Sequence, residues 1–240
     1  MSLKVGVLGA GFIGRIHALN LRRDARVTLV GVADAVPEAA ARLAAETGAA
    51  SLSDLDALLD AGVQAVYITT PNTHHVEPVM RALAHGVHVF SEKPMATSLD
   101  GAWAIREAAG RAAGIYQIGF NRRFANVYRF AKRLIDDGRL TPIAAQMKHN
   151  RGELQQPPWT ADPRVTGGFL YETPVHLFDM VRFLFGDVAA IQGRARQSVY
   201  RELDGFAMVL TCRSGVIATV TSVAHATWLF PSERVEVYGA

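Results

Sequence analysis

The sequence contains only one cysteine, Cys212, so an intramolecular disulfide is excluded. Cys212 lies in an apolar, strand-like run over residues 206–212, where we expect a small core residue. No uninterrupted apolar run reaches the roughly 18 residues that a membrane-spanning helix needs. Glycines interrupt the apolar N-terminal stretch and no small-residue cleavage site follows, which favours a first strand over a signal peptide. These absences predict a cytoplasmic protein without membrane contact.

A large excess of charge of one sign is also missing, since 25 Lys and Arg residues face 22 Asp and Glu residues. The one locally basic stretch, residues 122–133, is accompanied by no nucleic-acid reader motif or aromatic platform. A solvated helix face is therefore favoured over a nucleic-acid site. Half of the 240 residues are hydrophobic, which is enough for one large domain or two modest ones.

Residues 5–34 have the pattern of a dinucleotide site: an apolar strand, three spaced glycines, a helix, a second strand and a carboxylate. Gly9 permits a tight turn, Gly11 lets backbone amides approach phosphates, and Gly14 lets the helix lie close to the sheet. The amides at the helix N-terminus then face the negative charge of the pyrophosphate.

Asp34 favours NAD over NADP, because a carboxylate accepts hydrogen bonds from ribose hydroxyls but repels a 2'-phosphate. The three residues that follow it include no Arg or Lys to neutralise such a phosphate. The alternative is that Asp34 only caps the next turn.

Up to residue 119 strands and helices alternate, which predicts a parallel sheet covered on both faces. The predicted strands are 5–8, 27–33, 65–68, 87–91 and 115–118. The predicted helices are 13–21, 38–46, 54–60 and 76–84, and a last helix that begins at Ser98 or Asp100 and ends at about 110. Ser53 is the predicted cap of helix 54–60.

Beyond residue 119 the alternation stops, and one helix-bearing segment is followed by successive strands. The predicted elements are helices 126–137 and 174–185, strands 143–149, 188–200, 206–212, 216–224 and 234–238, and an irregular proline-rich stretch 152–168. The predicted fold is therefore α/β, with a doubly wound, parallel-sheet (Rossmann) dinucleotide-binding domain at 1–119. An α+β domain with a largely antiparallel sheet follows at 120–240.

Lys93 is the first candidate for chemistry, because Glu92-Lys93-Pro94 directly follows a buried strand at the carboxyl edge where doubly wound sheets bind ligands. An ammonium there could donate a hydrogen bond to a substrate oxygen, with Glu92 holding it in place. The alternative is an ordinary surface ion pair.

The second candidate is the segment 167–179, which begins with two glycines. If a helix starts near Thr173, His176 and Asp179 share one face and Glu172 lies at its N-terminal edge. An imidazole with a carboxylate partner is suited to take a proton from an alcohol. The alternatives are a core histidine, or a metal site built from the three side chains, which the absence of cysteine ligands disfavours.

Five motifs together resemble the glucose-fructose oxidoreductase, inositol dehydrogenase and MocA family over essentially the whole chain. They are Gly9 to Gly14, Thr70-Pro71-Asn72 with His75, Glu92-Lys93-Pro94, the stretch 119–124, and Gly167-Gly168 through His176 and Asp179. The resemblance implies a pyridine-nucleotide oxidoreductase acting on a sugar, cyclitol or related polyol, with Lys93 and His176 as the catalytic pair. It also implies a cis peptide bond before Pro94.

Two features depart from the family pattern. The position four residues before the histidine is usually Asp, whereas here it is Glu172, and Pro174 intervenes. Family members also continue past the stretch that matches 234–240, so we expect a sheet shortened at the C-terminus. Either a partner subunit covers it or the chain is a fragment. Since family members associate through this sheet, the resemblance favours a homo-oligomer.

The predicted site residues fall into three sets. The catalytic set is Lys93, His176 and Glu172. The cofactor-binding set is Gly9, Gly11, Phe12, Ile13, Gly14, Asp34, Thr70, Pro71, Asn72, His75, Glu92 and Lys93. The substrate-binding set is Lys93, Asn121, Arg122, Trp159, Glu172 and His176. His75 is equally consistent with a helix-start residue and Trp159 with a loop anchor. The other histidines, His17, His85, His88, His149 and His225, are interpreted as structural, and no metal site is predicted.

The predicted function is reversible hydride transfer between NAD and a secondary alcohol or ketone of a sugar-like substrate. One alternative is a glycosidase that oxidises its substrate transiently on tightly held NAD. Another is a regulator that binds NAD and sugar without turnover.

Overall fold

The computed structural model describes residues 2–150, 162–198, 200–224 and 232–240. It forms two compact units, Met1–Gly119 and Phe120–Ala240. Trp159 and His225 lie outside the described residues.

The first unit is a six-stranded parallel sheet in the order β3-β2-β1-β4-β5-β6. Its strands are β1 Leu3–Leu8, β2 Val27–Ala33, β3 Ala50–Leu52, β4 Ala65–Ile68, β5 His88–Ser91 and β6 Tyr116–Ile118. Its helices are α1 Phe12–Arg23, α2 Pro37–Thr47, α3 Leu55–Asp60, α4 Val76–Ala84 and α5 Leu99–Arg111, with a 3-10 turn at Asn72–His74. The strand order reverses between β1 and β4, which is where sheets of this kind bind ligands.

Alternate residues of β4 pack on opposite faces of the sheet, and helices cover both faces. Val66 and Ile68 pack in a cluster with residues of α3, α4 and α5, including Leu58. Ala65 packs in a second cluster with residues of β1, α1 and α2, including Leu43. The predicted doubly wound sheet is thereby confirmed.

Two local predictions for the first unit were wrong. The short strand β3 was missed, because a three-residue strand carries too little periodicity to register. The cap of α3 is Asp54 and not Ser53: an Asp54 carboxylate oxygen accepts from the backbone N–H of Ala57 at 2.9 Å, while the Ser53 hydroxyl donates to Asp54. Of the two residues predicted to open α5, Ser98 and Asp100, it is Ser98 that caps the helix, and its hydroxyl accepts from the Gly101 N–H at 3.1 Å.

The second unit is a five-stranded sheet in the order β11-β7-β10-β9-β8, in which only the β7–β10 pair is parallel within the described strands. The strands are β7 Pro142–Asn150, β8 Val188–Arg196, β9 Gly205–Cys212, β10 Ile217–Val223 and β11 Ser232–Gly239. The helices are α6 Asn126–Asp136, α7 Pro163–Thr166, α8 Phe169–Glu172 and α9 Val175–Phe185, with a 3-10 turn at Asn121–Phe124. The largely antiparallel sheet is thus confirmed.

Helix α9 supplies the core of the second unit. Its fully buried Leu177, Met180 and Val181 pack in one cluster with Met147 of β7 and Val220 of β10. The same cluster contains Cys212, only 2% exposed, as predicted. In the described part of the chain, no helix is both long and apolar enough to cross a bilayer.

The segment before α9 differs from its prediction. Two short helices, α7 and α8, precede α9, and α7 lies entirely within the stretch 152–168 that was predicted to be irregular. Glu172 ends α8 and so does not belong to the helix that carries His176. Thr173 between them has φ −121° and ψ −60°, and Pro174 has no N–H to continue a helix. The predicted strand 188–200 ends at Arg196.

Candidate active site

The glycine turn of the first unit is held against two other segments. Gly9 has φ +105°, which favours glycine, and its N–H donates to the carbonyl of Ala33 at 2.8 Å. A Cβ on Gly14 would lie 1.9 Å from the Gly9 carbonyl oxygen, so the helix can approach only without a side chain there. The Thr69 hydroxyl donates to the same oxygen at 2.7 Å.

Gly11 differs from its neighbours because it faces open space. A Cβ built on it meets no atom within 4 Å, and the next residue, Phe12, is 78% exposed. The first N–H groups of α1 have no intrahelical acceptors, and here they adjoin open space. An open cradle at the N-terminus of a twelve-residue helix fits the pyrophosphate of a dinucleotide.

Asp34 ties the end of β2 to the glycine turn. Its Oδ2 accepts from the Ala10 N–H at 2.6 Å, and its Oδ1 accepts from the Val36 N–H at 2.8 Å. The carboxylate therefore caps the following turn, as the alternative interpretation proposed, and also stands beside the Gly9–Gly14 loop. That second position fits the role predicted for it toward a ribose.

His75 lies at the start of α4 with a completely buried ring. Its Nδ1 is 2.7 Å from the Pro94 carbonyl oxygen and its Nε2 is 2.9 Å from that of Thr70. Burial, as the largest effect, lowers the pKa of His75, although these carbonyls act in the opposite direction. A buried ring is not accessible to a nicotinamide. The geometry therefore favours a structural role for His75, which joins the loops after β4 and β5. Nearby, Asn72 is also buried and the Thr70 hydroxyl donates to the His74 carbonyl at 3.1 Å.

Lys93 stands at the carboxyl end of β5, half-buried, and its bond to Pro94 is cis, as the resemblance implied. The Glu92 carboxylate accepts from the Lys93 backbone N–H at 3.3 Å. Its other oxygen is 2.8 Å from Nε2 of His17 on α1. From the sequence, His17 was interpreted as structural. The one signal for its contact with Glu92 was its position in the second turn of the helix that follows the glycine turn.

In the second unit, Glu172, His176 and Asp179 are all buried, with 7 to 9% exposure. Gly167 and Gly168 precede them with φ +80° and +99°. A Glu202 carboxylate oxygen accepts from the Phe169 N–H at 2.6 Å and would lie only 2.6 Å from a Cβ on Gly168. These two glycines therefore allow the chain to turn tightly against Glu202 before α8.

Asp179, which the sequence placed on one helix face with His176, is bound by Arg123. Both Asp179 oxygens accept from the guanidinium, at 2.6 to 3.0 Å. The hydrogen bonds to Asp179 raise the pKa of Arg123. The ring of His176 lies edge-on to that of Phe120, at 6.1 Å between centroids. Within the described ranges, no three His, Cys, Asp or Glu side chains are grouped as a metal site.

The guanidinium of Arg122, predicted to bind substrate, makes two hydrogen bonds to Glu233 of β11, at 2.7 and 2.6 Å. The Tyr128 hydroxyl donates to the same carboxylate. Burial acts to raise the pKa of Glu233, but these hydrogen bonds outweigh it, and the pKa lies below its ordinary value. Asn121 is exposed at the start of the 3-10 turn that also carries Arg122.

Two family models match the chain. The model described as an oxidoreductase family with an NAD-binding Rossmann fold matches residues 3–120, and that of the GFO/IDH/MocA C-terminal domain matches residues 128–240.

Individual relatives agree with these matches. The inositol 2-dehydrogenase of Rhizobium meliloti (strain 1021) is 31% identical over 248 residues, covering 100% of this chain and 74% of that protein. The structure of GenD2 from gentamicin A biosynthesis, in complex with NAD, has a TM-score of 0.89 and 26% identity, covering 99% of this chain and 70% of that one. Scyllo-inositol dehydrogenase from Lactobacillus casei, with bound NAD(H) and scyllo-inositol, has a TM-score of 0.85 and 25% identity, covering 100% of this chain and 74% of that one.

Proposed function

Since this chain belongs to the GFO/IDH/MocA family of oxidoreductases with an NAD-binding Rossmann fold, we propose that it oxidises a secondary alcohol of a sugar, cyclitol or related polyol, reversibly. The observation that carries the proposal lies in the first unit. An open glycine cradle follows β1, the Asp34 carboxylate tied to it follows β2, and the half-buried Lys93 follows β5, so all three lie at the carboxyl edge of one parallel sheet. This is the edge at which such sheets bind dinucleotides.

Bound NAD would supply the hydride acceptor. Gly11, Phe12 and Ile13 would hold its pyrophosphate through their backbone, because their amides adjoin open space at the start of α1. Asp34 would accept hydrogen bonds from the ribose hydroxyls and repel a 2'-phosphate.

Lys93 and His176 are the residues to which we assign the chemistry. The Lys93 ammonium would donate a hydrogen bond to the substrate oxygen and polarise it. The His176 imidazole would take the proton of the substrate hydroxyl at a ring nitrogen. Glu172, buried four residues before His176, would orient the imidazole or accept from a second substrate hydroxyl.

Inositols are the first substrates to test, because the Rhizobium relative is named for inositol and the Lactobacillus structure contains scyllo-inositol. The decisive experiment is a screen of inositols and sugars with NAD and NADP, following the nicotinamide absorbance. We expect reduction of NAD by at least one cyclitol or sugar. Absence of turnover with every one of them would overturn the proposal.

Three variants test the assigned roles. Lys93→Met and His176→Asn should each lower kcat by roughly 10²- to 10⁴-fold, the range for removing a positioned proton-transfer group. The exposed His85, which caps the C-terminus of α4, offers a matched control, and His85→Gln should leave kcat unchanged. Sugar release without net NADH formation would instead indicate a glycosidase. If Lys93→Met and His176→Asn both leave the responses to NAD and sugar unchanged, the protein is a non-catalytic regulator.

We also propose a homo-oligomer formed through the sheet of the second unit. Val209, Ile217 and Tyr238 are 42 to 52% exposed on the face of that sheet that does not carry the buried residues of the core. Apolar side chains grouped in this way mark association surfaces. Sedimentation should show a dimer or larger species that Val209→Lys converts to monomer, and a wild-type monomer at all concentrations would contradict the proposal.

A cytoplasmic location is the last part of the proposal. Two observations support this location. The family binds NAD, and the single cysteine is a buried free thiol, as is common in reducing compartments.

A further inference from the structure

His17 and Glu92 connect two parts of the first unit that are 75 residues apart in sequence. His17 lies on α1, five residues after the helix begins, and its Nε2 is 2.8 Å from Oε1 of Glu92. An ionised carboxylate can only accept a hydrogen bond, so the imidazole Nε2–H is the donor. Glu92 directly precedes Lys93.

The imidazole is held in place by two aromatic rings. Its centroid is 5.3 Å from that of Tyr67 on β4 and 5.1 Å from that of Phe90 on β5, and those two rings stack on each other at 4.5 Å. Both rings belong to strands whose carboxyl ends carry candidate site residues. Their packing against His17 supports the orientation in which the imidazole meets Glu92.

Glu92 is equally confined. Its second carboxylate oxygen accepts from the Lys93 N–H at 3.3 Å, and its own N–H donates to the Ile68 carbonyl at 2.9 Å. A Cβ on Gly119 would lie 3.2 Å from Oε1 of Glu92, so the carboxylate packs closely against the end of β6. One side chain thus connects α1 with the backbone that presents Lys93.

We propose that His17 is a positioning residue that couples occupation of the glycine cradle to the placement of Lys93. The cradle is the N-terminus of α1, and His17 is about 7.5 Å further along the same rigid helix, at 1.5 Å per residue. Ordering of the helix start by a pyrophosphate is passed through His17 and Glu92 to the backbone of Lys93. This inference rests on the proposed function for the importance of Lys93, but the coupling itself involves only the dinucleotide.

The contact has a simpler explanation, in which it is one of many surface polar pairs. That explanation predicts no change confined to the Lys93 segment, because an ordinary pair affects stability alone.

Two substitutions at His17 separate the possibilities. His17→Phe preserves the aromatic packing and removes the N–H donor. His17→Gln restores a donor at similar reach. Should His17→Phe fail to fold, His17→Asn replaces it, since its amide is too short to reach Glu92. His85→Phe, at the exposed histidine that caps the C-terminus of α4, is the matched control.

The primary measurement is amide hydrogen exchange with and without NAD, on the full chain. In wild type, NAD should slow exchange at both residues 12–15 and residues 92–95. In His17→Phe, the protection at 12–15 should remain and that at 92–95 should be lost, and His17→Gln should recover it. Equal protection of residues 92–95 by NAD in wild type and His17→Phe would overturn the inference. So would a loss of this protection in His17→Phe that His17→Gln also shows.

Turnover provides the second measurement. With a substrate found in the screen, His17→Phe should lower kcat about tenfold while KM for NAD changes less than about threefold, because Lys93 is misplaced rather than the cofactor lost. If wild type binds NAD but turns over no polyol, the proposed function fails and the exchange result still decides the role of His17. If wild type binds no NAD, both proposals fail.

Discussion

The imidazole of His75 lies between two loops of the first unit, with Nδ1 2.7 Å from the Pro94 carbonyl and Nε2 2.9 Å from the Thr70 carbonyl. A neutral imidazole carries one N–H, so only one of the two carbonyls receives a hydrogen bond. Complete burial favours this neutral form and lowers the pKa of the ring. The charge state of His75 is thereby linked to folding.

We expect His75 to make folding sensitive to mild acid. Its pKa is depressed in the folded state, so below about 6.5 the unfolded chain binds a proton that the folded chain does not. The free energy of unfolding should fall as pH drops from there toward the folded pKa, by at most about 1.4 kcal/mol per pH unit. Urea titrations between about pH 5 and 8 should show a weaker pH dependence for His75→Gln. Parallel curves for the two proteins would contradict this.

Gly11→Ala should separate cofactor binding from folding. Its Cβ would meet no protein atom within 4 Å and its backbone is extended, so stability should be unchanged. The methyl group would occupy the space predicted for the pyrophosphate, and we expect NAD affinity to fall about tenfold or more. Gly110→Ala is the control: this helical position is equally open, and alanine there should raise stability by about 0.5 to 1 kcal/mol without affecting NAD. Calorimetry with NAD distinguishes the two, and unaltered affinity in Gly11→Ala would remove the cradle from the proposed site.

Asp34→Asn should weaken the preference for NAD. The amide removes the negative charge that repels a 2'-phosphate, so we expect the ratio of kcat/KM for NAD over NADP to fall at least about tenfold. It also loses one acceptor for the N–H groups of Ala10 and Val36, at a cost of about 1 kcal/mol in stability. An unchanged ratio would mean that another group selects the cofactor.

Asp179→Asn should destabilise the second unit. Its carboxylate receives three hydrogen bonds from Arg123. Hydrogen bonds to charged groups contribute about 1.5 to 3 kcal/mol to the free energy of unfolding. We expect a loss at the lower end of this range because Arg123 is 39% exposed to solvent. Asp187 is the matched control, since it also pairs with an arginine but both side chains are at least 60% exposed. Asp187→Asn should leave urea unfolding nearly unchanged, because solvent screens an exposed pair. Equal losses in the two variants would show that burial of Asp179 contributes nothing.

Much of the fold could be predicted because its signals are local. The strands Val27–Ala33 and Ala65–Ile68 and the helix Val76–Ala84 were predicted to the residue, since apolar runs and turn residues bound each of them. The separate helix Phe169–Glu172 was not predicted, because four residues carry too little periodicity and its start is held by a contact with the distant Glu202.

The sequence by itself determined the succession of strands and helices, the glycine turn and the residue types at the candidate site, because backbone preference and hydrophobic period act between neighbours in the chain. Only the tertiary structure decided which polar groups meet. Glu92 receives His17, Asp179 receives Arg123 and Glu233 receives Arg122, across 75, 56 and 111 residues respectively. Such pairs form because folding buries most of each carboxylate, and a donor that the fold brings near replaces the water it loses. No local pattern specifies that donor.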